Sequence, residues 1–223
     1  MDEKHTRILY SYFRSSAAYR VRIALHLKGL TYETRAVHLT KNGGENWLPE
    51  YLSVNPQGFV PTFVDNGNVI IQSLAIIEYL DEAYTSSPLL PDTAINRASC
   101  RALSHIISCD VHPLNNLRVM SYLTDKLSCS QEFMAQWYCK WINEGLKAFE
   151  IQLRKRKTDT PYCCGNQPSM ADICLIPQLY NARRFHCDLS PYPVITEIEH
   201  TCNEHNAFMA AAPERQPDTP PDE

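Results

Sequence analysis

Two consecutive hydroxyls, Ser15 and Ser16, stand between a strand-like run, Ile8-Leu9-Tyr10-Ser11-Tyr12, and a stretch whose Ala17, Val21, Ala24 and Leu25 recur at helical spacing. The first N–H groups of a helix have no partner within it, and that end of its dipole is positive. Such a terminus favours an anion. A thiolate placed there is stabilised, and its pKa falls. The stretch from Ser15 to Leu25 contains no cysteine, so a thiolate has to arrive on a ligand. The two serines also suit a plainer role, because Ser is a preferred N-cap.

The elements that would hold these hydroxyls are legible up to Tyr84. Ile8–Tyr12 predicts a strand, Ala17–Lys28 a helix stopped by Gly29, and Thr31–Leu39 a second strand. A weak helix is expected around Glu45–Leu52, after Gly43-Gly44. Val60–Val64 and Val69–Ile71 flank Asp65-Asn66-Gly67-Asn68, a hairpin signal. Ser73–Ala83 predicts a helix opening at Ser73 as its N-cap. The order is βαβ and then ββα, which calls for a parallel crossover and an antiparallel edge.

Beyond Ser86-Ser87-Pro88-Leu89-Leu90-Pro91 the strand signals cease. Ala94–Tyr122 reads as a helix kinked at Pro113, and Gln131–Arg156 as a long one carrying Trp137 and Trp141, which suit packing. Ser169-Met170-Ala171-Asp172 opens another helix with a capping-box spacing, and two short helices are expected after Pro193. The proline-rich tail from Pro213 reads as extended, either disordered or laid on the surface. The expected division is therefore 1–85, a linker 86–95, an all-helical domain 96–212 and a tail 213–223.

The chain has 223 residues, enough for one large domain or two small ones. A net charge of −4 gives no general drive toward nucleic acid. No apolar run approaches the ~20 residues that span a bilayer, and none follows Met1–His5 as a signal peptide requires. Neither a nucleic acid nor a membrane is expected as a partner, and the expected compartment is the cytoplasm. Nine cysteines, odd in number and irregular in spacing, read as free thiols, with Cys163-Cys164 as ordinary small residues in a loop. His200, Cys202 and His205 are ligand types at spacings that do not share one helical face, so no metal site is expected.

Arg14-Ser15-Ser16 followed by Tyr19-Arg20-Val21-Arg22-Ile23-Ala24-Leu25 resembles the signature of zeta-class glutathione transferases, the maleylacetoacetate isomerases. Asn55-Pro56, Val60-Pro61-Thr62, Gln72-Ser73-Leu74-Ala75-Ile76-Ile77-Glu78-Tyr79-Leu80, Ser169-Met170-Ala171-Asp172 and the tail Arg215-Gln216-Pro217-Asp218-Thr219-Pro220 agree with it. Where the animal branch has Cys and, two positions on, Trp, this chain has Ala17 and Tyr19; bacterial-type relatives resemble this Ala form, and both hydroxyls remain. The resemblance implies a glutathione transferase fold: an α/β, thioredoxin-like βαβ-ββα domain followed by an all-α helical bundle. It implies a homodimer.

It also implies glutathione as cofactor. Ser15, with Ser16 beside it, would donate to the sulfur. A cis Val60-Pro61 bond would present the Val60 backbone to the cysteinyl part, and Gln72 and Ser73 would receive the γ-glutamyl carboxylate. Arg20 and Asn46 belong to the same expected cofactor site, as do His112, Asn116 and Arg118 from the helical domain. The implied substrate carries two carboxylates, which Arg grips bidentately. Arg14, Arg118 and Arg184 are the residues expected to meet it, and Arg14 is counted with Ser15 and Ser16 as catalytic. The implied reaction is cis–trans isomerisation of maleylacetoacetate by thiolate addition, rotation and elimination, within tyrosine and phenylalanine breakdown. Isomerisation of maleylpyruvate, transfer to α-halo acids, or a non-catalytic binding role on the same fold stand as alternatives.

Overall fold

A computed structural model describes residues 6–156 and 160–221. Met1–His5, read above for a leader, lie outside them, as do the last two residues of the tail. The chain forms two compact units: Met1–Leu89 with His205–Glu223, and Leu90–Glu204.

In the first unit, β1 (Arg7–Ser11), α1 (Ser16–Leu27) and β2 (Glu33–Ala36) form the expected crossover; a short α2 (Pro49–Leu52) follows. Then come β3 (Thr62–Asp65), β4 (Asn68–Ile71) and α3 (Ser73–Ala83). The sheet order is β2-β1-β3-β4. β1 and β2 are parallel, with Ile8 opposite Glu33. β1–β3 and β3–β4 are antiparallel, with Leu9 opposite Phe63 and Phe63 opposite Ile70.

β2 is shorter than the predicted Thr31–Leu39. It is an edge strand that pairs only with β1, and β1 ends at Ser11 where the chain turns into α1. α1 ends at Leu27, one residue before the predicted Lys28, with Gly29 at φ +65° and the Leu30 N–H returning to the Leu25 carbonyl at 3.0 Å. The weak helix predicted around Glu45–Leu52 splits into a 3-10 turn, Glu45–Trp47, and α2, which Pro49 starts.

The second unit is helical: α4 (Ala94–His105), α5 (Leu117–Asp125), α6 (Gln131–Arg154), α7 (Met170–Arg184) and α8 (Pro193–Glu204). The predicted single helix Ala94–Tyr122 is interrupted more thoroughly than a kink. It widens into a π segment at Ile106–Val111, tightens to a 3-10 turn at His112–Asn115, and restarts behind Asn116, whose side chain caps α5. Pro113 explains the break, because it lacks the N–H that would continue the ladder. α7 opens on the predicted capping box: Asp172 Oδ2 accepts from the Ser169 N–H at 2.8 Å, and Oδ1 accepts from the Cys163 N–H at 2.8 Å.

Two expectations are corrected. The boundary 96–212 gives way to Leu90–Glu204, because α9 (Asn206–Ala211) packs on α1 in the first unit. The Arg22 Nε donates to the Ala211 carbonyl there at 2.9 Å, and the tail stays with the same unit. The cysteines are not all free. Cys139 of α6 is joined to Cys187, just past α7, with Cα atoms 5.2 Å apart; the other seven remain thiols. The partners lie 48 residues apart, so local spacing carried no signal of the pairing.

Candidate active site

The site begins at the turn between β1 and α1. Tyr12 and Phe13 are buried here in a cluster with Val37, Tyr51 and Val60. Ser15 is the N-cap of α1, with extended backbone at φ −69° and ψ 115°. Its Oγ accepts from the Ala18 N–H at 3.2 Å, and its own N–H donates to the Tyr12 carbonyl at 2.9 Å. A hydroxyl carries one proton and two lone pairs. Capping uses a lone pair, so the Ser15 proton can still be donated. The capping role and the sulfur-binding role are therefore compatible. Ser16 occupies the first helical position and is buried, whereas Ser15 is half-buried. Arg14 is half-buried, with its guanidinium over the Phe13 ring at 5.0 Å.

A second helix terminus lies in the same unit. α3 starts at Ser73, but its N-cap is Gln72, not Ser73 as predicted. Gln72 has φ +70°, a left-handed conformation uncommon outside Gly, Asn and Asp, so its residue type did not advertise the position. Its side chain turns away from the helix to Gln57, Nε2 to Oε1 at 2.8 Å. No side-chain cap closes α3 among the described residues, which leaves its first N–H groups for an anion. Ser73 is buried, and its Oγ accepts from Arg20 Nη1 at 3.3 Å. A buried guanidinium thus stands at this terminus and adds to its positive end.

The loop before β3 completes the unit's share. Val60-Pro61 is cis, as the resemblance implies. β3 starts at Thr62, so the Val60 N–H and C=O stay outside the ladder. Asn46 is buried and acts through its neighbour: Nδ2 donates to the Gly58 carbonyl at 2.9 Å. Its Oδ1 finds no hydrogen-bond partner among the described residues. Gly58 has φ +66°, and a Cβ there would stand 2.5 Å from the Trp47 ring. Only glycine fits this close approach.

In the second unit, His112 opens the 3-10 turn and is half-buried, Asn116 spends its side-chain oxygen on the Arg118 N–H at 3.1 Å, and Arg118 is exposed. The turn is fastened to α6: Asn115 Nδ2 donates to the Tyr138 carbonyl at 3.1 Å, and Trp137 Nε1 to the Leu114 carbonyl at 3.0 Å. Phe185 stacks on the same Tyr138, ring centres 3.7 Å apart, and the exposed Arg184 lies over the Phe185 ring. Burial pushes the Tyr138 phenol well above its usual range, and the Arg184 charge pulls it the other way. One stretch of α6 thus holds both groups of expected substrate and cofactor residues in this unit.

The two histidines of metal-ligand type have other partners. His205 caps α9 by accepting from the Ala207 N–H at 3.2 Å, and His200 pairs with Glu204. No cluster of three or more His, Cys, Asp or Glu able to hold a metal occurs among the described residues. No helix there is long and apolar enough to cross a membrane.

A thiol tripeptide with two carboxylates needs a hydroxyl proton for its sulfur, open backbone groups along its length, and an N–H-rich or cationic end. Ser15, Val60, and the α3 terminus with Arg20 supply these in the first unit, so the residues present fit glutathione. Residues 5–82 match the model of the glutathione S-transferase N-terminal domain. The "Probable maleylacetoacetate isomerase" of Vibrio cholerae is 48% identical over 95% of this chain and 97% of its own. A holo structure of maleyl pyruvate isomerase, a bacterial zeta-class enzyme, superposes with a TM-score of 0.92 at 42% identity, covering 96% of this chain and 100% of that one. Maleylacetoacetate isomerase from Anaeromyxobacter dehalogenans, with dicarboxyethyl glutathione and citrate in its active site, gives 0.86 at 37% identity over 98% and 96%. With the serine turn, the open α3 terminus and this full-length similarity together, the chain belongs to the zeta class of the glutathione transferases, the maleylacetoacetate isomerase family.

Proposed function

We propose that this chain is a glutathione-dependent isomerase that converts maleylacetoacetate to fumarylacetoacetate. The observation that carries the reading is Ser15, held as the α1 N-cap through its lone pair with its proton still to give. Bound glutathione would supply a thiolate that adds to the cis double bond and leaves after rotation about the resulting single bond. The chain's own part is to bind, orient and hold charge. Ser15 donates its proton toward the sulfur, and the α1 terminus favours the same negative charge, so the thiol ionises at lower pH. The Ser73 end of α3, Arg20 and Gln72 take the γ-glutamyl carboxylate. Val60 pairs with the cysteinyl backbone, and Asn46 keeps the loop before it in place through Gly58. His112 and Asn116 belong to the cofactor's surroundings. Arg14, Arg118 and Arg184 grip the substrate carboxylates and hold the negative charge that develops beside them.

A homodimer fits the fold, with exposed Ile95 on α4 and Leu117 and Tyr122 on α5 as apolar surface for a second copy. A cytoplasmic place in tyrosine and phenylalanine breakdown follows from the same substrate. A maleylpyruvate substrate is the second reading, favoured by the 0.92 superposition on an enzyme of that name. Parallel assays with both maleyl ketones, with and without glutathione, decide between them. Faster glutathione-dependent conversion of maleylacetoacetate supports the first reading, and preference for maleylpyruvate the second. No conversion of either overturns both.

A further inference from the structure

We infer that Asp218, in the C-terminal tail, is a positioning residue for the serine turn of the active site. The inference rests on the proposed role of Ser15 in thiolate activation. The tail is anchored at the end of α9, where Gln216 Nε2 donates to the Ala210 carbonyl at 3.1 Å and the Ala212 carbonyl at 2.8 Å. That anchorage delivers Asp218 to a residue 205 positions earlier: its Oδ2 accepts from the Phe13 N–H at 2.9 Å. This N–H shares a peptide plane with the Tyr12 carbonyl, and the Tyr12 carbonyl accepts from the Ser15 N–H at 2.9 Å. Carboxylate, peptide and Ser15 amide thus form one continuous chain.

The carbonyls of this peptide and of the next are held by Arg22, which is fully buried. Its Nη2 donates to the Phe13 carbonyl at 2.9 Å and its Nη1 to the Tyr12 carbonyl at 3.4 Å, while Nε holds the Ala211 carbonyl of α9. Burial pulls the Arg22 guanidinium down to about 10; the phenols of Tyr32 and Tyr19 and the carboxylates of Asp218 and Glu214 oppose that shift. The backbone leading into Ser15 is therefore clamped between a tail carboxylate and a buried cation. A carboxylate on the Phe13 N–H also polarises the peptide and strengthens the hydrogen bond its carbonyl accepts from Ser15. Asp218 acts only through this backbone. Its value lies in where it keeps the Ser15 hydroxyl, and a displacement of about 1 Å in such a group costs roughly 10²-fold in rate.

Three variants test this: Asp218→Ala, termination after Gln216, and Asp218→Asn, which keeps an oxygen to accept from Phe13. Two readouts go beyond turnover. One is amide hydrogen exchange at Phe13 and Ser15 in the protein without glutathione; the other is the pH midpoint of thiol ionisation for bound glutathione, followed by thiolate absorbance. The Ala and truncated proteins should exchange faster at these amides, show a midpoint raised toward the ordinary thiol value of about 8.5, and lose roughly 10²-fold in kcat. KM for the maleyl ketone should change little, and the Asn variant should regain most of the midpoint. Unchanged exchange and midpoint in a folded Ala variant overturn the inference. So does failure of both the Ala and truncated chains to fold, which would make the tail a folding element. A wild-type midpoint no lower than that of free glutathione would instead overturn the role of Ser15, while the exchange data would still decide whether Asp218 holds the turn.

Discussion

Ser15 does two things with one oxygen. It accepts from the Ala18 N–H to close α1, and in the proposed mechanism it gives its proton toward a ligand sulfur. Bound glutathione should therefore titrate below about 8.5, the ordinary thiol value. Because the bound form favours the anion, glutathione affinity should rise with pH up to the free thiol's pKa and level off above it, which calorimetric titration across pH measures. Arg184 is exposed, with its guanidinium over the Phe185 ring. Arg184→Ala should raise KM for the dicarboxylate about tenfold, the cost of one charge-assisted hydrogen bond, and leave KM for glutathione unchanged in initial-rate kinetics. The adjacent hydroxyls of Ser15 and Ser16 were legible because a strand-like run and a helical period bracket them. Asp218 and Gln57 were not, since their partners Phe13 and Gln72 lie 205 and 15 residues away. Ser73 was misread as a cap because residue preference pointed to it, while the backbone gave that place to Gln72.

Elements position these residues through a few close approaches. Gly58 lets the loop before cis Val60-Pro61 pass against Trp47 and Asn46. Gly58→Ala should cost about 1–3 kcal/mol in urea unfolding, as overpacking does, and weaken glutathione binding as the Val60 backbone shifts. In the helical unit, the buried Glu150 of α6 closes the start of α8 by accepting from the Val194 N–H at 3.2 Å and the Ile195 N–H at 3.0 Å. Glu150→Ala should lower stability by about 1–3 kcal/mol, because the buried Ile195 N–H and the part-buried Val194 N–H lose their acceptor; the denaturant midpoint measures it. The hairpin at Asn66-Gly67 and the α7 capping box were legible because each is a local pattern of a few residues. The π and 3-10 interruption before α5 was only half legible. Pro113 announces a break, but the widening at Ile106–Val111 has no residue-type signature.

At the scale of the whole molecule, the order of sheet and helices was readable and its closure was not. α9 and the tail return to the first unit through Arg22, Asp218 and the α1 packing, contacts that no window of sequence contains. The Cys139–Cys187 bond is of the same kind. Thiol titration of the denatured, unreduced protein should count the seven thiols left free by that bond, and nine after reduction. The central claim is that the α1 terminus and the Ser15 proton make a borrowed thiol reactive. The most direct measurement is glutathione-dependent conversion of maleylacetoacetate by wild type and Ser15→Ala at saturating glutathione. Rapid conversion by wild type, absent without glutathione and reduced roughly 10²-fold in the variant, is the predicted result. Equal rates in the two proteins would contradict it.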